Sequence, residues 1–314
     1  MNFNLVALCA LAATAACATG APASNAPAPT PGAEGASTAE PTSKADSTPP
    51  ETTEWWTTAK PCPDGAELKG AAPPQGKEIS CERGGKRHGP RTTFHANGKR
   101  ARSEVFVAGK LEGRFGEWYE DGTPTEEGTY RNGLLEGRWI HYYAGGAKEL
   151  EGEYRQGRQS GVFKKFAESG ARVEEIEYRE GRRHGISKIF YDDGKLREES
   201  EYAGDVRHGT SRTFHANGNK RTEGKYANDA QVGVWRSFRE DGKPMEEVQF
   251  VAGEKEGATT RWYPNGVKEL DGTYKAGKKD GTFSYYTEEG ELAKTEQYKA
   301  GTLMGAKKIA LKKK

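Results

Sequence analysis

Six histidines, 46 acidic residues and four cysteines are the side chains of this 314-residue sequence most able to do chemistry. Their spacing limits what that chemistry can be. His88, His184 and His208 share one place in a 24-residue period, and His95 and His215 share another. If each period supplies two β-strands, His184 and His208 stand two strands apart, about 9.6 Å. One metal ion cannot take both imidazoles at about 2.0–2.1 Å. They read as polar residues flanking turns. The carboxylate pairs Glu126-Glu127, Glu174-Glu175, Glu198-Glu199 and Glu246-Glu247 also recur with the period, beside Lys and Arg. Such repetition describes solvated faces and does not single out one acid/base pair. Gly272 to Lys279 nearly matches a phosphate-binding loop, but Lys279 stands where Ser or Thr must hold Mg²⁺. No HExxH, GxSxG or EF-hand loop occurs. No catalytic residue, metal site or cofactor is expected, and the chain does not read as an enzyme.

The cysteines speak of location. Leu5 to Ala16 is a run of apolar and small residues, too short to cross a bilayer but fit for the core of an export signal. It ends in Thr14-Ala15-Ala16-Cys17, which resembles the lipobox of bacterial lipoproteins. That resemblance implies a lipid on Cys17, membrane attachment through it and, with Ala18 following, an outer-membrane lipoprotein of the cell envelope. Ala16-Cys17-Ala18 also fits a plain A-x-A cleavage site, so a secreted or periplasmic protein stays open. Cys9 leaves with the signal. Cys62 and Cys81 then remain as the pair that an oxidising envelope joins. Their bridge closes a loop of about 20 residues and contributes roughly 3 kcal/mol on the chain-entropy account. A zinc site needs more ligands than this pair and nearby His88 supply.

Composition narrows the class. Hydrophobic residues make up 33%, charged residues 30%, and there are 41 glycines. This is apolar-poor and glycine-rich for a globular domain, which argues against one compact enzyme core. A net charge of +2 argues against a nucleic-acid partner, which needs a basic stripe. Residues 1–17 form the signal. Residues 18–54, nearly all Ala, Pro, Thr, Ser, Gly and Glu, read as a disordered tether. Residues 55–88 read as a disulfide-closed cap, 89–304 as nine repeats and 305–314 as a basic edge strand or tail.

The repeats must position everything else. Glycines recur every 24 residues from Gly89 to Gly305, again from Gly98 to Gly290, and in a third set from Gly109 to Gly301. Aromatics fill two further columns, one from Phe94 and Trp118 to Tyr286, the other from Phe106 and Tyr130 to Tyr298. Asn97-Gly98, Asp121-Gly122, Asp193-Gly194, Asn217-Gly218, Asp241-Gly242 and Asn265-Gly266 predict two-residue hairpin turns. Segments this short and this often broken by glycine do not make helices. The expected fold is all-β, an elongated single-layer antiparallel array of roughly 18 strands, about 85 Å long. Ring columns stacked along the sheet stand in for a deep core.

The second repeat, with Gly113, Trp118, Tyr119, Asp121-Gly122, Glu126-Glu127, Tyr130, Asn132-Gly133 and Gly137, resembles the bacterial 24-residue variant of the MORN repeat. The resemblance implies β-hairpin arrays that mediate protein or membrane contacts. Some bacterial members carry an antitoxin-type label, which implies a cytoplasmic protein. Asp205 and Asp229 at glycine places, and Ser187 and Ser211 at aromatic ones, predict a bend or weak point in the middle. Residues two and six after the leading glycine define a candidate binding patch of Phe115, Tyr119, Trp139, Tyr143 and Phe163, with a second group at Trp235, Tyr263 and Phe283. Either these rings are exposed for a partner, or the sheet curls and buries them. The expected function is a non-catalytic envelope lipoprotein presenting a scaffold to an unknown protein or envelope component. The alternatives are an antitoxin-like protein binder and a cell-wall carbohydrate-binding module.

Overall fold

A glycine or turn-forming residue about every dozen positions leaves no stretch for a helix longer than one turn. The computed structural model describes residues 54–310. The signal, Cys17, the tether up to residue 53 and residues 311–314 of the tail lie outside the described residues. Among the described residues the only helix is a 3₁₀ turn at Trp55–Thr57. The rest is one 24-segment antiparallel sheet in which each strand pairs with its neighbours in sequence. Three rungs are cut in two, at Glu112, Glu136 and Asp280. The all-β, single-layer antiparallel array read from the period is therefore the fold.

The first rungs come from the segment expected as a cap. Strands β1 (Glu67–Ala71) and β2 (Glu78–Arg83) pair with each other, and β2 pairs with β3 (Lys86–Phe94). Disulfide Cys62–Cys81, with Cα atoms 5.6 Å apart, straps the chain before β1 to β2. Trp55 Nε1 donates to the buried Thr92 hydroxyl at 2.9 Å, and the Trp56 ring meets Phe94 edge-on at 5.6 Å. Gly89 lets Pro63 approach, since a Cβ there would lie 2.6 Å from Pro63 Cδ. These contacts lay the leading segment against β2 and β3.

The two hairpin families differ from the sequence expectation. At Asn97-Gly98 the loop has three residues, not two. His95 N donates to Lys99 O at 2.8 Å, Gly98 N donates to His95 O at 3.0 Å, and only Gly98 has positive φ, +83°. The Asn97 side chain explains the choice. Its Oδ1 accepts from Lys99 N at 3.0 Å, which holds Asn97 in an Asx turn and leaves the left-handed position to glycine. Asp121, Asp193, Asn217, Asp241 and Asn265 make the same bond two residues on. The two-residue turns, with both φ positive, lie at the third glycine set, as at Ala108-Gly109 (52° and 85°) and Ala276-Gly277 (48° and 74°).

The expected weak point is instead a braced turn. Asp205 and Asp229 take left-handed backbones, φ 73° and 62°. The Asp205 carboxylate accepts from Arg183 N at 2.9 Å, and Asp229 accepts from Arg207 N and Nε at 3.1 and 3.0 Å. Strand pairing continues on both sides, with Tyr202 opposite Arg207 and Tyr226 opposite Gln231.

Candidate functional site

A ring on a one-layer sheet can be covered only by its neighbours in the same layer. It therefore lies down, and the residue beneath must be small. Phe115 lies over Gly128, Phe163 over Gly152, Trp235 over Gly224 and Phe283 over Gly272. The tyrosine column closes over them. Phe163 meets Tyr154 and Tyr178 edge-on at 5.5 and 5.3 Å, and Phe283 meets Tyr274 and Tyr298 at 5.5 Å each. In the middle of the array serine replaces the ring, and Ser200 and Ser211 share a buried hydrogen bond of 2.9 Å. At the first repeat the ring place holds Arg91, which pairs with Glu78 at 2.7 Å and with the buried Glu104. Hydrogen bonding from Arg91 keeps the Glu78 carboxyl below its ordinary value.

This geometry dismantles the candidate patch as an exposed cluster. Phe115 and Phe163 are 1% and 6% exposed and belong to the core. Trp139 is half-buried between Tyr154 and Phe163, with its Nε1 donating to Glu126. Tyr119 and Tyr143 are loop residues: their amides close the three-residue loops onto Thr123 and Ala147. The Tyr143 hydroxyl donates to Phe166 O at 2.8 Å, in the next repeat. His95, Tyr191, His215, Arg239 and Tyr263 make the same bond 23 residues on. This column therefore stitches repeats together. The second group divides likewise: Phe283 is buried and Tyr263 is part of the stitching. The recurrence of glycine and ring eleven residues apart, as in Gly152 and Phe163, Gly224 and Trp235, and Gly272 and Phe283, was a readable sign of this packing.

The opposite face carries the other ring column. Trp118 lies over Gly116 on that face, and cations sit on its members: Arg100 is 5.3 Å from the Trp118 ring centroid, and Arg172 is 4.5 Å from Phe190. Beside the rings runs a ladder of opposite charges. Lys164 faces Glu175, Lys188 faces Glu199, Arg212 faces Glu223 and Arg236 faces Glu247 across adjacent strands. Arg236 meets Glu247 at 2.8 Å and Arg212 meets Glu199 at 3.1 Å. Tyr142 joins the ladder through Glu127 at 2.7 Å, and burial followed by that carboxylate pushes its hydroxyl well above the ordinary phenol range. Between the ladder and the two-residue turns stand Val162, Ile186 and Val234, 48%, 45% and 39% exposed. Paired charges beside a broken line of aliphatic side chains suit contact with another surface. Among the described residues no group of three or more His, Cys, Asp or Glu is placed to hold a metal ion.

The family model described as "MORN repeat variant" matches residues 111–132, 183–203, 207–228, 231–252, 255–276 and 279–300. The chain carries MORN repeat variants. The later MORN matches each run from one two-residue turn to the next, so the unit is a strand, a three-residue loop and a strand. Residues 133–182 fall between matches yet keep the same strands and ring packing. Similarity to solved structures is slight. A TarM mutant from S. aureus in complex with fondaparinux, alpha-GlcNAc-glycerol and UDP is 14% identical, covering 31% of this chain and 19% of that one, with a TM-score of 0.23. The TcdB2-TccC3 structure is 11% identical, covering 74% and 17%, with a TM-score of 0.20. The matched part is thus less than a fifth of either structure's own chain. No curated protein matches the chain.

Proposed function

We propose that this chain is a non-catalytic cell-envelope lipoprotein whose MORN array, held out on an N-terminal tether, docks a protein or another envelope component. The observation that carries this reading is the asymmetry of the two faces. One face is occupied by rings lying on glycines. The other offers a long charge ladder beside Val162, Ile186 and Val234. The lipobox-like Thr14-Ala15-Ala16-Cys17 supports the anchor. Stacking on a cell-wall sugar has less support, because Trp139 is wedged between Tyr154 and Phe163. An antitoxin-like binder would use the same ladder face. Cytoplasmic fractionation with residues 1–17 retained would favour it.

Two measurements test the proposal. Palmitate labelling of cells should mark the protein and should fail for Cys17→Ala; no lipid-dependent label defeats the anchor. A photocrosslinker at position 186 should capture one discrete partner in the native envelope, and a crosslinker at the loop residue Gly145 should not. Equal capture at both positions, or none at either, removes the ladder face as the docking surface.

A further inference from the structure

In each two-residue hairpin the first turn residue has a left-handed backbone that turns its amide out of the ladder. In five hairpins the side chain twenty residues earlier accepts from that amide. Glu112 accepts from Asn132, Glu136 from Gln156, Glu256 from Ala276, Asp280 from Ala300, and His88 Nδ1 from Ala108, at 2.7–3.2 Å. Four of the five acceptors are carboxylates. The repeats themselves thus show what this place accepts: an anionic oxygen.

At the hairpin of Glu180 (φ 53°) that acceptor is missing, because the residue twenty earlier is Ser160. No side chain among the described residues takes the Glu180 amide. The same turn borders a cleft of about 470 Å³ lined by Arg158, Arg179, Glu180, Arg182, His184 and Gly204. Arg158, Arg179 and Arg182 make no ion pair with a carboxylate among the described residues. Their neighbours Arg183 and Arg207 are instead engaged by Asp205 and Asp229. Three free guanidinium groups outweigh the one carboxylate of Glu180. They flank two successive turns; His184 lies on the same strand as Arg182, and Gly204 sits in the next two-residue turn.

We propose that this cleft is a binding site for a phosphate-type oxyanion. One oxygen takes the Glu180 amide, the place that Glu112, Glu136, Glu256 and Asp280 fill in other repeats. The arginines close on the remaining oxygens, since a guanidinium fork matches a tetrahedral oxyanion in a way a lone ammonium does not. His184 can add a ring N–H donor. The site does not depend on how the chain is anchored, and it borders the ladder face, since Arg182 and His184 share a strand with Ile186.

The test is calorimetric titration of the full chain with inorganic phosphate at low ionic strength. Saturable binding is expected in the parent. Arg158→Gln and Arg182→Gln should each weaken it about tenfold, the usual scale for a charge-assisted hydrogen bond. Arg114→Gln, on another hairpin, should leave it unchanged. Ser160→Glu is the sharper variant: it restores the carboxylate of the other repeats and should abolish phosphate binding while keeping or raising the melting temperature. Flotation with phosphatidylcholine vesicles, with and without phosphatidic acid, separates the sources. Phosphate-competed flotation identifies a lipid headgroup, and saturable phosphate binding without flotation identifies a soluble phosphate. Absence of saturable binding, equal binding by Arg158→Gln and Arg182→Gln, or intact binding in Ser160→Glu would overturn the site.

Discussion

At the scale of single residues, what matters is whether a ring has a glycine to lie on. A Cβ on Gly152 would fall 2.5–2.6 Å from three ring atoms of Phe163, a ring with Tyr154 and Tyr178 on either side. Gly152→Ala should therefore cost about 1–3 kcal/mol, the usual scale of overpacking. Gly145→Ala, where a Cβ meets nothing within 4 Å, should stay within about 0.5 kcal/mol of the parent. Urea unfolding of the two variants checks this, and equal losses would remove the ring-on-glycine account. A second residue-scale prediction concerns acid. Hydrogen bonds from Lys294 and then Tyr285 hold the Glu296 carboxyl down to about 2, against an ordinary 4.5. A depressed folded value means that the stabilisation is full above pH 4.5 and is lost as the pH falls toward 2. Melting temperatures of the parent and Glu296→Gln should differ at pH 6 and converge near pH 2. A gap that persists unchanged at pH 2 would mean that the carboxylate's charge contributes nothing. The aromatic columns were plain in the sequence, but Gly128, Gly152, Gly224 and Gly272 were lost among 41 glycines whose turn roles drew the eye. That is why Phe115 and Phe163 stood as candidate contacts and not as core.

At the scale of the element, the two hairpin types ask opposite things of the same substitution. Ala252 and Ala276 hold left-handed backbones at φ 49° and 48°, where a Cβ costs roughly 1 kcal/mol. Ala252→Gly and Ala276→Gly should each raise stability by up to about that amount. Gly98→Ala, at φ 83° in a three-residue loop, should lose a comparable amount. Thermal melts of the three variants decide it, and a loss for both alanine replacements would contradict the turn assignment. The sequence made the existence of these turns legible through the 24-residue spacing. It did not reveal which family was two residues long, because Asn-Gly and Asp-Gly serve both turn types. The real two-residue turns begin with Ala, Asn, Gln, Glu or Gly, a mixture with no common chemistry. The brace at Asp205 and Asp229 was hidden for a related reason: a non-glycine at a glycine place looks like damage until its carboxylate is seen on Arg183 N and Arg207 N.

At the scale of the whole sheet, each rung touches only rungs one or two places away, as the Tyr143–Phe166 and Arg207–Asp229 bonds do, so stability should be local and additive along the array. The Cys62–Cys81 bridge sits at one end and ties down only the segment that lies on β2 and β3. Closing a loop of about 20 residues contributes roughly 3 kcal/mol on the chain-entropy account. In a cooperative globule that loss would lower the protection of every core amide. Here it should be spent at the end where the bridge lies. Hydrogen exchange followed by mass spectrometry, with and without reductant and again for Cys62→Ser, should show faster exchange across Glu78–Arg83 and Lys86–Phe94. Protection should be unaltered in Val206–Phe214 and Glu254–Trp262, many rungs away. Uniform acceleration across all four strands would mean that the sheet unfolds as one unit, and the nearest-neighbour account would fail. A graded response, fading over one or two repeats, would give the distance over which one MORN repeat supports the next. That distance also sets how far from a docked partner or a bound anion the array should stiffen.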